Sequence, residues 1–172
     1  MKTIYFLLAL ISFSANAQQS KAINWDDSRI NGSLELTILK RDFEKAVKGT
    51  GTLVKPEEHE LCGNDEDLDI MFYNYKGITY EMDNGVLNFR RILFDKKSGL
   101  YFTYGNIRFD WMTTVQDLFK VIDKQATSAS EREFRNEGTY IVITLNNKSD
   151  EGEWQFYFKN GKLVSIHCVF SC

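Results

Sequence analysis

Two stretches of the chain alternate apolar and polar residues on both sides of an Asn-Gly pair. They read YEMDNGVLNFRRILF (Tyr80–Phe94) and FYFKNGKLVSIHCVF (Phe156–Phe170). Alternation with a period of two indicates strands with one buried face, and Asn-Gly favours a two-residue type I′ turn. Each stretch is therefore predicted to form a β-hairpin, turning at Asn84-Gly85 and at Asn160-Gly161.

Apolar residues at helical spacing precede each hairpin. The first set is Leu39, Phe43, Ala46 and Val47, and the second is Val115, Leu118, Phe119 and Ile122. Thr37 and Thr113 are the predicted N-caps, the latter in a capping box with Gln116. A second short helix is expected after each of these helices, over 56–63 and from Ser128 through Phe134 to Gly138.

The order of predicted elements occurs twice along the chain. The two Asn-Gly turns lie 76 residues apart, and Leu87 matches Leu163 as Phe94 matches Phe170 in the aligned hairpins. We interpret this as an internal duplication; two unrelated hairpins that share turn chemistry are the alternative. The predicted divisions are a signal peptide (1–17), an N-terminal extension (18–32), repeat 1 (33–94), a linking hairpin (95–105) and repeat 2 (106–172).

This order resembles that of the β-lactamase-inhibitor-protein architecture, in which tandem helix-loop-helix units pack on antiparallel sheet. FDWMTTVQDLFKVI also resembles the helix start of small envelope lipoproteins with the same half-fold, although Trp111 replaces the usual glycine before Met112. The resemblance implies an α+β fold of two tandem repeats of about 75 residues, which could share one continuous sheet. It also implies protein binding, and it transfers no functional residue.

The first 17 residues, MKTIYFLLALISFSANA, have the features of a secretory signal peptide. Lys2 precedes an apolar run, and Ala15 and Ala17 form an A-x-A cleavage motif. Gln18 follows the cut where a lipoprotein would have cysteine, so a periplasmic or secreted product without a lipid anchor is expected. No other apolar run is long enough to span a membrane.

The charge composition argues against nucleic acid as a partner and leaves another protein open. The chain has 21 Lys and Arg against 24 Asp and Glu, for a net charge of −3, which does not favour nucleic-acid binding. Another protein, basic or of mixed charge, is the expected partner.

Three cysteines remain after the predicted cleavage: Cys62, Cys168 and Cys172. An odd number in an oxidising compartment leaves one thiol over or an intermolecular bond. Cys168 and Cys172 lie too far apart on one extended strand to be bridged, at about 13 Å. A disulfide from Cys62 to either of the others is the hypothesis, and the choice between them stays open.

Pairing across the second turn sorts the strands into two faces. Phe158 opposite Leu163, Phe156 opposite Ser165 and Trp154 opposite His167 would form the inner face. The opposite face is predicted to bind a partner, because Tyr and Arg predominate at binding hot spots; tyrosine as a mere strand former is the alternative. That face would contain Asp69, Met71, Tyr73, Tyr75, Glu81, Arg90, Tyr140, Val142, Tyr157, Val164 and Ile166.

The segment EEHELCGNDEDLD is the most acidic part of the chain, and it contains no Lys or Arg. Its acidic-loop residues are Glu57, Glu58, Glu60, Asp65, Glu66 and Asp67, followed by Asp69. The aspartates partly match a calcium loop, but Ile70 and Lys76 occupy its required Gly and Glu positions. A solvated loop is the first interpretation, contact with a basic partner the second and a metal the third.

No catalytic signature occurs in the chain. His59 has no second histidine at metal-ligand spacing, and His167 and Cys168 alternate on one strand and so point to opposite faces. Phosphate-loop, dinucleotide and hydrolase motifs are absent, and no cofactor is expected. The sequence favours an exported protein-binding module, such as an inhibitor or immunity protein that occludes its partner. The alternatives are an envelope-assembly or small-ligand-binding protein and a hydrolase without a recognisable motif.

Overall fold

The computed structural model describes residues 23–56, 70–123, 127–134, 137–145 and 152–170. Of the described residues, 54% lie in strands and 10% in two helices. The chain therefore folds mainly as antiparallel β-sheet. The predicted α+β fold of two helix-loop-helix repeats is wrong, and so is the architecture that the resemblance implied.

The described part contains thirteen strands and two helices. In chain order they are β1 (Ser28–Ile30), β2 (Leu34–Glu35), β3 (Thr37–Leu39), α1 (Lys40–Val47), β4 (Thr52–Val54), β5 (Met71–Tyr75), β6 (Ile78–Asp83), β7 (Val86–Leu93), β8 (Phe102–Tyr104), β9 (Ile107–Phe109), α2 (Val115–Phe119), β10 (Thr127–Phe134), β11 (Gly138–Leu145), β12 (Glu153–Lys159) and β13 (Lys162–Val169).

These strands form a small sheet and a large sheet. The small sheet has the order β2-β1-β8-β9, so the stretch 95–105, predicted as a linking hairpin, contributes β8 to it. The large sheet has the order β10-β11-β12-β13-β7-β6-β5-β4, and β3 also pairs with β7. Both hairpins named above lie in the large sheet and meet where β13 pairs with β7.

The helices differ from prediction in their caps and in their number. Leu39 is the residue before α1, without a side-chain cap, while Thr37 lies in β3. Thr114 caps α2 and forms a capping box with Asp117, and Thr113 instead accepts a hydrogen bond from the backbone N–H of Asp110.

The second helix predicted for repeat 2, from Ser128 to Gly138, is wrong, because this segment forms the strand β10. Ser128 and Glu131 resemble a capping box in sequence, but the segment pairs with β11 over eight residues, from Thr127 opposite Leu145 to Phe134 opposite Gly138. Phe134 alone gives a helix there little apolar surface, whereas pairing with β11 hydrogen-bonds one edge of the segment along its whole length. The equivalent helix of repeat 1, predicted over 56–63, lies outside the described residues except for Pro56.

The predicted turns are confirmed by their backbone angles. Asn84 and Gly85 have φ of 47° and 80°, and Asn160 and Gly161 have φ of 50° and 74°. Positive φ at both central residues defines the type I′ turn, which matches the twist of the paired strands. A third such turn, Lys76-Gly77, joins β5 to β6 and places Tyr75 opposite Ile78.

Each of the two predicted hairpins contains a register shift that sequence alternation did not predict. In β12–β13, Phe158 pairs with Leu163 but Tyr157 pairs with Ser165, so Val164 is an extra residue. Beyond it Phe156 pairs with Ile166 and Trp154 with Cys168. The predicted pairs Phe156–Ser165 and Trp154–His167 are therefore wrong, because one inserted residue exchanges the faces of the rest of the strand.

The main core lies between the two sheets. Phe102 of the small sheet lies 5.4 Å from Trp154 and 6.1 Å from Phe89 of the large sheet, measured between ring centroids. Phe109 lies 5.5 Å from Phe156. All five side chains are almost completely buried. Burial of this kind contributes roughly 1.5 to 3 kcal/mol per large apolar side chain, so the inter-sheet contact is a major source of stability.

Helix α1 covers the β4–β6 end of the large sheet. Its single buried residue, Phe43, makes edge contacts with Tyr73, Tyr75 and Tyr80 at 5.3 to 5.7 Å. The hydroxyl of Tyr73 donates to Glu44 at 2.9 Å and accepts from the backbone N–H of Gly51 at 2.5 Å. Tyrosine thus serves as core in this half of the protein.

Candidate functional site

The face of the large sheet that points away from the small sheet is called the outer face here. Of the residues predicted for partner binding, Tyr140, Tyr157 and Val142 lie on it, and Val142, the register partner of Tyr157, is fully buried. Asp69 lies outside the described residues. Val164 is half-buried, and its carbonyl oxygen accepts a hydrogen bond from Phe94 at 2.8 Å.

Several predicted residues belong instead to the core or to an internal ion pair. Tyr73 and Ile166 are fully buried, and Tyr75 packs on Phe43. The Lys76-Gly77 turn brings Met71, Tyr73 and Tyr75 onto the same face as Ile78, Tyr80 and Met82, while the extra residue Val164 turns Ile166 inward. These residues do not form an exposed binding face.

Glu81 and Arg90 pair with each other. Arg90 donates from Nε and Nη2 to Oε2 of Glu81, and its guanidinium lies 4.5 Å from the ring of Phe170. Both members of the pair are largely buried. Their charges are thus matched within the protein and are not available as separate contacts for a partner.

Three aromatic rings form a cluster on the outer face, called the aromatic cluster below: Phe134, Tyr140 and Tyr157. Phe134 lies 5.1 Å from Tyr140 and 6.2 Å from Tyr157, and the two tyrosine rings are 6.5 Å apart. Tyr157 is buried, Tyr140 is half-buried and Phe134 is 39% exposed. The cluster therefore reaches from the buried centre of the sheet to the surface beside β10.

Tyr157 is at the centre of a hydrogen-bonded group. Its hydroxyl donates to Oε1 of Gln155 at 2.8 Å and accepts from Nη1 of Arg132 at 3.2 Å. Its ring lies over that of His167, with centroids 4.4 Å apart and planes inclined by 31°. The tyrosine is held by contacts from three strands, β10, β12 and β13, so its orientation is fixed before any partner arrives.

Positive charges border the aromatic cluster. Nζ of Lys159 lies 5.1 Å from the ring centroid of Tyr140, and the guanidinium of Arg132 lies 5.9 Å from that of Tyr157. On β7, Arg91 is the register partner of His167, and its Nε donates to the hydroxyl of Thr79 at 3.1 Å. The Glu137 carboxylate accepts from the Tyr140 hydroxyl at 2.7 Å.

The electrostatic environment fixes the protonation states of this face. Burial, together with the charges of Arg91 and Arg132, lowers the pKa of His167 from 6.5 to about 4. Burial raises the pKa of Tyr157, and the hydrogen bond to Glu137 raises that of Tyr140. At neutral pH the histidine is therefore neutral and both tyrosines keep their hydroxyl protons.

Strand β10 gives this face an open edge. Seven of its eight residues are exposed, and no other described strand pairs with the side opposite β11. An edge strand presents unpaired N–H and C=O groups to which an extended segment of another protein can add. Phe134 and Arg132 lie on this same strand, so the edge and the aromatic cluster form one continuous surface.

Sequence reasoning missed four contributors to this face. Arg132 and Phe134 were assigned to a helix, His167 to the inner face, and Arg91 to no role. The signal available for β10 was its neighbour GTYIVITL, a strong strand with which the segment can pair, since TSASEREF itself does not alternate apolar and polar residues. No comparable signal gives the position of the extra residue Val164, on which the placing of His167 depends.

The acidic-loop residues Glu57, Glu58, Glu60, Asp65, Glu66 and Asp67 lie outside the described residues, as do Cys62 and Cys172. Cys168 is buried in the core beside Trp154, and its pairing stays a prediction. Within the described residues, no group of three His, Cys, Asp or Glu side chains is arranged to hold a metal ion.

Comparisons with protein-family models, with curated proteins and with solved structures found no match to this chain. Neither of the described helices is long and apolar enough to cross a membrane.

Proposed function

We propose that this protein is an exported module that binds another protein through the outer face around the aromatic cluster. The observation that carries the proposal is the preordered group of Phe134, Tyr140 and Tyr157, bordered by Arg132 and Lys159 and continuous with the open edge of β10. Aromatic and arginine side chains dominate binding hot spots because they bury a large area and retain a polar group.

Binding would act by occlusion of the partner's surface, as in an inhibitor or an immunity protein. Phe134 is the anchor that would bury the most additional apolar surface on binding, since it is the exposed member of the aromatic cluster. Tyr157 is already buried and fixed, so it supports the anchor without losing further side-chain freedom on binding. The edge of β10 adds backbone hydrogen bonds, whose geometry orients the partner along the strand.

Export and the role of the acidic segment rest on the sequence. The predicted signal peptide leads to an oxidising compartment, and the acidic loop would speed the approach of a partner with a basic patch. N-terminal sequencing of the protein recovered from its own compartment tests the cleavage after Ala17.

The central test measures partner affinity after truncation of the anchor. Phe134→Ala and Tyr140→Ala should each weaken binding of the partner, isolated with the wild-type protein, by about tenfold or more. Leu53→Ala is the matched control, because Leu53 is similarly exposed, at 42%, on β4 at the other edge of the same sheet. If the three variants bind as well as the wild type, the outer face is not the binding surface.

A further inference from the structure

Two arginine residues lie on opposite sides of the centre of the outer face. In the strand order β10-β11-β12-β13-β7, Arg132 comes from β10 and Arg91 from β7, with Tyr157 and His167 between them. Arg132 extends across β11 to reach the Tyr157 hydroxyl on β12. This reduces the gap between its guanidinium and β7 to about two strand spacings, roughly 10 Å.

Neither arginine is neutralised by a neighbouring acid. Among the described residues no carboxylate forms an ion pair with Arg91 or Arg132; Arg91 Nε donates to Thr79, and Arg132 Nη1 donates to Tyr157. Of the acids on this face, Glu137 accepts from Tyr140, Glu153 lies at the start of β12, and Glu81 is paired with Arg90. Both arginines contrast with Arg90, next to Arg91 on β7, which is paired with the carboxylate of Glu81.

We propose that the outer face binds a carboxylate of the partner protein between Arg91 and Arg132, above the stacked rings of Tyr157 and His167. The inference rests on the proposed function and specifies the chemistry of the partner: an acidic side chain beside an apolar group that packs on Phe134. A carboxylate can accept hydrogen bonds at about 2.8 Å from a guanidinium on each of its two sides.

The surroundings favour this ligand in two ways. Tyr157 is buried and His167 beneath it is half-buried, and charge attraction is stronger where water is partly excluded. Because His167 is neutral at physiological pH, the positive charge at this point comes from Arg91 and Arg132. A phosphate group is favoured less, because the surrounding backbone amides belong to sheet ladders and form no helix terminus or nest of N–H groups.

The site can be tested without knowledge of the partner. N-acetylglutamate methylamide, which has a single carboxylate, is titrated at pH 6 while NMR follows the Nε–Hε signals of the arginines and the ring signal of His167. The His59→Ala variant assigns that ring signal, since the chain has two histidines. We expect a saturable shift at His167, Arg91 and Arg132 that an equal ionic strength of chloride does not reproduce.

Substitutions locate the site. Arg91→Gln and Arg132→Gln should each weaken binding of the probe by about tenfold. Arg41→Gln, an exposed arginine on α1 with 81% of its side chain accessible, is the charge-matched control and should leave binding unchanged. A response without saturation, equal binding by all three variants, or tighter binding of inorganic phosphate than of the carboxylate would overturn the proposal.

The outcome separates the two proposals. If Phe134→Ala weakens partner binding and the Arg91→Gln and Arg132→Gln variants do not, the outer face binds protein and the carboxylate site is wrong. If the probe binds between the arginines while no outer-face variant affects the partner, the carboxylate site stands and the proposed binding surface is elsewhere.

Discussion

Acidification should destabilise this protein through His167. The histidine is held neutral beneath Tyr157, between the charges of Arg91 and Arg132, and its folded-state pKa is about 4 against an ordinary value of 6.5. Above pH 6.5 neither the folded nor the unfolded chain protonates it. As the pH falls from 6.5 toward 4, the unfolded chain binds the proton and the folded chain does not, so stability is lost in this window.

The size of the effect follows from the difference between the two pKa values. Each unit corresponds to about 1.36 kcal/mol, so a change from pH 7 to pH 4.5 should lower the free energy of unfolding by about 2 to 3 kcal/mol through this residue alone. That is a substantial fraction of the roughly 5 to 15 kcal/mol typical of a domain. His167→Gln removes the titration and retains a polar side chain of similar reach.

Urea unfolding, followed by the fluorescence of Trp25, Trp111 and Trp154 at half-unit steps of pH, measures the effect. Carboxylates that titrate near pH 4 act on both proteins, so the quantity of interest is the difference between wild type and His167→Gln. As the pH falls from 7 to 4.5, the wild type should lose about 2 to 3 kcal/mol more free energy of unfolding than His167→Gln. A difference that stays constant from pH 7 to pH 4.5 would refute the lowered pKa of His167 and its neutral state in the folded protein.

Two further predictions concern packing. Phe102→Ala, which empties the fully buried position between Phe89 and Trp154, should lower the free energy of unfolding by about 3 to 5 kcal/mol in urea titrations; a loss as small as that of exposed Phe134→Ala would contradict the inter-sheet core. Gly51→Ala should cost about 1 to 3 kcal/mol, because a Cβ there would lie 2.5 Å from the Asn74 carbonyl oxygen and 2.7 Å from the Tyr73 ring. Thr50→Ala, next to it and exposed, is the control and should change the melting temperature little.

Local signals predicted local structure well. The Asn84-Gly85 and Asn160-Gly161 turns and the helices after Leu39 and Thr114 follow from residues within a few positions of each other. The structure of the β10 segment could not be predicted from nearby residues. Its Ser128 and Glu131 fit a helix cap, whereas its strand conformation depends on pairing with β11 in the folded chain. Propensity within a segment cannot measure that tertiary contribution.

The candidate site was less predictable than the fold elements, for a reason of register. A single extra residue, Val164, decides that Ile166 faces the core and His167 the outer face, and nothing in VSIHCVF indicates its position. The Lys76-Gly77 pair would have corrected the assignment of Tyr73, since a two-residue turn puts Tyr75 and Ile78 on one face. Face assignments from sequence are therefore only as accurate as the turns and bulges from which they are counted.

Strand β13 is the last strand of the described part, yet it lies in the middle of the large sheet between β12 and β7. On a growing polypeptide, the earlier strands can form their hairpins, but β7 and β12 present unsatisfied edges until β13 inserts between them. The sheet is completed by joining residues more than 70 positions apart, such as Ile92 and Ile166. Non-local closure of this kind is slow. A chain built in this way stays incompletely folded until β13 has been synthesised, and until then the edges of β7 and β12 remain open to chaperones.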